Sequence, residues 1–349
     1  MATSGSVRFS RRRWLQHLGA LAFIAAARRP RAAEAIAVVA QPDAAARRIV
    51  PFAPGDVAVG CTLLNSSTDD HRGQGRILHF SGALQLKNTI VFDDTTHIVE
   101  GLKFAPDKSL WAFDCFAYKI ARVAASGRRL PNFAAPARSF ACIDWAADGS
   151  FYLGEKLVGS KSKLPLHTTL PFMPGTQRFG DGHLFKFSRK GKLLKEYATP
   201  VHGGMVGFQG LTSCALATDN KSLYYTSESG PRLMHYDLVE GKPLPDVLAF
   251  AENTNSFFFD VQVDRDSRLL AVRGARVEAL DAAGMLLQTY PLAGFGWASM
   301  SKPVTDSHFY VTNFFSGEIA KIDLKTGAVL ASALTGAHKS LSGPAEFPG

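Results

Sequence analysis

An all-β fold, a six-bladed β-propeller of four-stranded antiparallel blades, is predicted by three features of the 349-residue sequence. The first is a phrase that returns through the chain: an apolar strand, a tight turn holding Asp and a small or polar residue, then a second strand. The second is its spacing, because the turn Asp residues fall 40–47 positions apart with one gap of 71, a period that suits propeller blades. The third is that no long segment keeps apolar residues at helical spacing.

The copies come in order. Val57-Ala-Val-Gly60 follows a degenerate first turn, Phe52-Ala-Pro-Gly. The clearest copy is Phe104-Ala-Pro-Asp107-Lys-Ser-Leu-Trp-Ala-Phe-Asp114, and Trp145-Ala-Ala-Asp148-Gly-Ser-Phe-Tyr-Leu-Gly154 repeats it. Turns at Asp219, Asp266 and Asp306 open three more. Asp or Asn followed by Gly, Ser or Lys tolerates the left-handed backbone of such a turn, so these Asp residues are expected to be structural. Outer strands follow in register at 75–80, 118–123, 183–187, 231–236, 275–280 and 317–322. The long gap holds an insertion at about 156–182, rich in Pro and Gly, which is expected to lie over the channel as a lid carrying His167 and Phe172. One propeller over 36–349 thus accounts for the length without several domains.

Residues 1–35 read as a separate export signal. Ser10-Arg11-Arg12-Arg13-Trp14-Leu15 resembles the twin-arginine motif; a short apolar stretch and a small-x-small site at Ala33-Glu34-Ala35 follow. The expected partner is the export machinery, and the expected location periplasmic or secreted. The leader supplies six of the nine net positive charges, so the remaining chain has no compositional case for nucleic acid. The apolar core of the leader is too short to span a bilayer and no later segment is long enough, so no membrane span is expected. Four cysteines with no Cys-x-x-Cys pair exclude a disulfide scaffold and a zinc or c-type haem site built on that motif. Buried thiols and a single Cys61–Cys115 bridge both remain open.

In a propeller, ligands meet the starts of the inner strands, on the face opposite the Asp turns. Seven positions before each turn Asp stand Glu100, Ala141, Thr212, Phe259 and Ser299, and a slip of one residue brings in Asp260. Arg48 is placed nearby by the degenerate first copy. Gln209, His97, His202 and Trp297 fall on incoming loops, while Asp114, Glu228, Asn313 and Phe314 fall on the loops between second and third strands. Arg48, Gln209, Thr212, Glu228, Trp297 and Asn313 are therefore candidates to contact a small-molecule ligand or substrate.

The run from Glu100 to Asp114 resembles the opening blade motif of the senescence-marker-protein/gluconolactonase family. That resemblance in blade rhythm covers about 50–333, and the rhythm is shared with NHL-repeat and strictosidine-synthase-like propellers. It implies a six-bladed fold and hydrolysis of lactones or phosphoesters, with a divalent metal held in the channel by a Glu, an Asn and an Asp. Glu100 matches the metal-binding Glu. Thr212-Ser213 stands where the family has Asn-Gly, Phe258-Phe259-Asp260 represents its Pro-Asp-Gly, and Ala141-Cys142 replaces its Asn-Asp.

Three functional readings follow. In the first, Glu100 and Asp260 hold one divalent cation (Ca, Mn or Zn) that polarises a lactone or ester carbonyl, with His97 or His202 as the base that activates water. The structural alternatives are an ion pair of Glu100 with Arg48, a buried structural role for Asp260, and surface positions for both histidines. In the second, the protein is a non-catalytic binding propeller whose aromatic face (Phe257, Phe258, Phe259, Trp297, Phe314 and Phe315) packs on a ligand or partner. The third is metal-free acid–base catalysis by one channel Glu, either Glu100 or Glu228. No phosphate-binding Gly loop, Gly-x-Ser-x-Gly elbow or His-Glu-x-x-His motif occurs.

Overall fold

The computed structural model describes residues 49–65, 73–95, 99–115, 117–156, 182–200, 210–227, 230–251, 254 and 256–349. It is a six-bladed propeller without helices among these residues. Blade 1 contributes β1 (Val57–Leu64), β2 (Gly73–Phe80) and β3 (Leu86–Val91). Blade 2 is β4 (Glu100–Phe104), β5 (Leu110–Asp114), β6 (Lys119–Val123) and β7 (Arg129–Leu130). Blade 3 is β8 (Phe140–Trp145), β9 (Phe151–Glu155), β10 (Leu184–Phe187) and β11 (Leu193–Tyr197). Blade 4 is β12 (Ser213–Leu216), β13 (Ser222–Thr226), β14 (Arg232–Asp237) and β15 (Lys242–Pro243), with β16 (Leu248–Ala249) also on β14. Blade 5 is β17 (Asp260–Val263), β18 (Leu269–Val272), β19 (Arg276–Leu280) and β20 (Leu286–Pro291). Blade 6 is β21 (Trp297–Met300), β22 (His308–Asn313), β23 (Glu318–Asp323) and β24 (Val329–Leu334).

Blade 1 is completed from the far end of the chain. β25 (Leu341–Glu346) pairs antiparallel with β1, setting Val57 against Glu346 and Cys61 against Leu341. The first inner strand is thus β25, which the sequence did not assign, and Arg48, expected near its start, lies outside the described residues.

Period-two alternation explains how each blade serves two interfaces at once. On β5, Trp111 and Phe113 join the apolar layer shared with blade 3, while Leu110 and Ala112 join the layer shared with blade 1. The same division recurs around the ring, so the six buried clusters correspond to the six interfaces between blades. Aromatic residues fill the wider parts of these wedges; Phe151 stacks on Phe187 at 5.3 Å in the layer between blades 2 and 3. Each such side chain removes about 2 kcal/mol worth of apolar surface from water.

The turns behave as their composition requires. Asp107 Oδ1 accepts from the Ser109 amide and hydroxyl at 3.0 and 2.6 Å, and Asp148 treats Ser150 alike at 2.8 and 2.6 Å. The residue after four of the five turn Asp residues takes the left-handed backbone, namely Lys108 (φ 63°), Gly149 (φ 81°), Asn220 (φ 57°) and Ser267 (φ 63°), while Ser307 after Asp306 does not. In blade 5 the capping carboxylate is Asp264 instead of Asp266, since its Oδ1 accepts from the amides of Asp266 and Arg268.

Candidate functional site

The inner strands β25, β4, β8, β12, β17 and β21 surround a cavity of about 70 Å³ at the propeller axis. Four of the five residues counted back from the turns line it: Glu100, Thr212, Phe259 and Ser299. Cys142 takes the place expected for Ala141, and Asp260 lines the cavity beside Phe259. The change from Ala141 to Cys142 has a local cause. The ladders of blades 2, 3 and 6 slip at the mouth, between Glu100 and Lys103, between Phe140 and Cys142, and between Trp297 and Ser299. Such bulges re-aim side chains. At the first of them Gly101 has φ +60°, and a Cβ there would sit 1.9 Å from the Ala141 carbonyl oxygen, so no larger residue fits.

Glu100 is not free in this arrangement. Its Oε2 accepts from Lys156 Nζ at 2.5 Å, where β9 emerges on the same face. The described partner of Glu100 is thus a lysine of blade 3, and Arg48, its expected partner, lies outside the described residues. Its other oxygen, Oε1, is buried without a hydrogen-bond partner among the described residues. The Cys115 thiol lies beside this carboxylate; burial first, and the negative charge of Glu100 second, push the thiol well above its ordinary range. Just behind, buried Glu155 accepts from Arg138 at 3.1 Å and from the amides of Gly182 and His183 at 3.0 and 3.3 Å.

Asp260 is an interblade staple. Its Oδ1 accepts from Ser213 Oγ of blade 4 at 2.5 Å and from Gln262 Nε2 at 3.1 Å, and its Oδ2 accepts from the Met300 amide of blade 6 at 2.7 Å. Burial raises its carboxyl above the usual range, against the pull of those three donors. Further along the inner strands, Asp144 of blade 3 binds Lys103 of blade 2 at 3.2 Å and Lys302 of blade 6, diametrically opposite, at 3.2 Å. This cross-axis pair occupies the end of the channel farthest from Glu100.

A hard divalent cation wants about six oxygen ligands, and this donor set does not fit one. Glu100 is committed to Lys156, both oxygens of Asp260 are engaged by protein donors, and an ammonium group faces the same space. Among the described residues no group of three or more His, Cys, Asp and Glu is placed to hold an ion.

The other candidates divide plainly. Trp297 is buried in the layer between blades 5 and 6, and its Nε1 donates to the Ala293 carbonyl at 3.0 Å. It is core, not a ligand contact, because its bulk is what the wedge between the blades requires. Asn313 is also buried: its Oδ1 accepts from the amides of Phe315 and Ser316, both at 3.0 Å, and its Nδ2 donates to the Phe295 carbonyl at 3.1 Å. It braces two loops and has little left for a ligand. Thr212 lines the cavity, with its hydroxyl on the Thr226 carbonyl at 3.2 Å. His97, His202, Gln209 and Glu228, like the insertion residues His167 and Phe172, lie outside the described residues.

An aromatic rim borders the mouth on blades 5 and 6. Phe258 is fully buried, but Phe259 reaches the cavity and meets Phe257 at 5.9 Å and Phe295 at 6.1 Å. Phe295 and Phe315 remain 36% and 37% exposed, enough to offer ring faces to a ligand. Arg273 anchors the loop beneath: its Nε donates to the Phe257 carbonyl at 2.6 Å, and its guanidinium lies 4.1 Å from the Phe258 ring centroid. Sequence reading missed Lys156, Lys103, Asp144 and Lys302, since a pairing between blades depends on closure of the ring.

Fold and cavity define a six-bladed propeller with a polar pocket on its axis, and the comparisons with known proteins agree on the fold. The chain is similar to a chain of the nidogen/laminin complex at 12% identity, TM-score 0.58, covering 84% of this chain and 98% of that one. It is also similar to a protein of unknown function from Bacteroides caccae, at 12% identity and TM-score 0.53, over 85% and 100% of the two chains. A gluconolactonase from Xanthomonas campestris aligns at 17% identity and TM-score 0.48 over 70% and 76%. No family model and no curated protein matches the chain.

Proposed function

We propose that the protein is an exported binding propeller that takes a small molecule at the mouth of its axial channel. The carrying observation is the engagement of both channel carboxylates by protein donors beside an aromatic rim. Glu100 is paired with Lys156 and Asp260 with Ser213, Gln262 and Met300. A ligand with a flat apolar ring would lie on Phe259 and Phe295, and its polar group would approach the Glu100–Lys156 pair at the channel mouth. A cavity of about 70 Å³ admits only a small polar group, which leaves the bulk of the ligand on the rim. Screening aromatic alcohols, amines and phenols by thermal shift and ligand-observed NMR tests this. Binding is expected to weaken at least ~10-fold in Glu100→Gln, which loses a charge-assisted hydrogen bond, and in Phe295→Ala. Affinity unchanged in both variants would remove the channel mouth as the site.

A second reading rests on the place of Glu100 in the lining of the axial cavity. There Glu100 is a base for lactone or ester hydrolysis, with Lys156 holding the carboxylate in place. A screen of lactones and aryl esters, with and without added Ca²⁺, Mn²⁺ or Zn²⁺, separates the two readings. Turnover abolished in Glu100→Gln selects hydrolysis, and saturable binding without turnover selects the first reading.

The leader supports export by the twin-arginine route. Replacing Arg11 and Arg12 by Lys is expected to leave the full-length precursor in the cytoplasm, as followed by fractionation and immunoblotting. Export at the wild-type rate would overturn that assignment.

A further inference from the structure

We propose that Cys142 and Cys214 form a dithiol site in the channel wall, which a small two-electron oxidant closes to a disulfide between blades 3 and 4. The two residues lie on β8 and β12, neighbouring inner strands, and both line the axial cavity. Both also belong to the apolar layer between these blades. The Cys142 thiol donates to the Leu211 carbonyl at 3.6 Å, on the backbone that leads into β12. Gly154 makes room for it. A Cβ at that position would lie 2.4 Å from the Cys142 sulfur and 2.8 Å from Leu211 Cβ, so the thiol is lodged in the seam between blades. Within this seam burial first, and the neighbouring Cys214 second, raise the Cys142 thiol well above its ordinary range.

The other cysteines are set apart. Cys61 is in the layer between blades 1 and 6 and shares it with no other cysteine. Cys115 stands beside Glu100. All four are buried free thiols, so the Cys61–Cys115 bridge left open by the sequence is not formed.

The oxidation balances with a diazenedicarboxamide such as diamide. One thiolate adds to an N=N nitrogen, and the second thiolate attacks the sulfur of that adduct. The S–S bond forms as the S–N bond breaks, and the two thiol protons end on the nitrogens of the resulting hydrazine. Attack of this kind requires a thiolate, so the reaction should speed up as pH rises.

Purified protein treated with diamide is expected to lose two hydrogens by intact mass and to yield a linked Cys142–Cys214 peptide. Cys142→Ala and Cys214→Ala should each abolish the linkage. Closing a loop of this length raises the melting temperature by ~5 °C. The same measurement on protein refolded from denaturant in the presence of diamide covers the case in which the folded channel excludes the reagent. All four thiols alkylatable after both treatments, or a linkage involving Cys61 or Cys115 in place of this pair, would overturn the proposal.

Discussion

Truncation before Leu341, which removes β25, is expected to abolish cooperative folding. The strand is the innermost of blade 1, and without it β1 presents an unpaired edge at the axis. Leu341, Ala345 and Phe347 are buried at 1%, 4% and 5% exposure, so the loss falls on core side chains. Leu341 sits in the layer with blade 6 and the other two in the layer with blade 2, so both flanks of blade 1 open together. Phe347 meets Phe104 at 5.0 Å and Phe52 at 5.8 Å. The ladder of β25 goes with it, as do the Phe347 amide bond to the Asp56 carbonyl at 2.7 Å and the His308–Glu346 contact at 3.0 Å. Phe347 alone is worth about 3 kcal/mol by truncation to Ala. The whole strand exceeds the ~5 kcal/mol at the lower end of domain stability. Recovery from the insoluble fraction and loss of a sigmoidal thermal transition by circular dichroism are the expected readouts. A truncated protein that is soluble and melts cooperatively within a few degrees of the intact one would refute closure through β25.

The internal blades were legible because each is written locally. A turn Asp, a left-handed position and two alternating strands lie within about twenty residues, so Asp107, Asp148 and Asp219 mark their blades without help from distant sequence. Glu100, Thr212, Phe259 and Ser299 were reachable for the same reason, being a fixed count from a recognisable turn. What could not be read depends on residues far apart in the chain. Blade 1 borrows its inner strand across more than 270 positions, judged from Val57↔Glu346. The one available signal was a copy at 52–60 with no strand before it, matched by the unassigned alternation Leu341-Ser-Gly-Pro-Ala-Glu-Phe347. Trp297 and Asn313 were misread because an aromatic or amide at a loop looks alike whether it points outward or braces the wedge. Polar partners between blades, such as Lys156 for Glu100, emerge only once the ring is assembled.

Asp144 is expected to produce the second large effect, and it carries a signature in pH. Its carboxylate is 3% exposed and holds two ammonium groups from different blades. Burial by itself would raise the carboxyl; the charges of Lys103 and Lys302, with the Leu216 amide at 2.9 Å, outweigh it and bring the pKa down to about 2. A carboxyl lowered on folding stabilises the folded state fully above its unfolded value near 4, and that contribution is lost as pH falls toward 2. The gap between the two values corresponds to roughly 2 kcal/mol. Asp260 opposes it, since burial raises its carboxyl and its ionisation therefore works against the fold as pH rises through the acid range. Asp144→Asn keeps the shape and an acceptor for Leu216 but deprives Lys103, with its side chain 12% exposed, of its ion-pair partner. Removing one partner of such a buried pair costs about 3 kcal/mol. Urea midpoints at pH 7 should drop accordingly, while the difference between wild type and variant narrows between pH 4 and pH 2. The milder variant Lys302→Met removes a lysine whose side chain is 38% exposed and should cost less, because the surrounding water screens that charge already. A variant difference that stays constant from pH 7 to pH 2 would show that the cross-axis pair is held together by packing and not by charge.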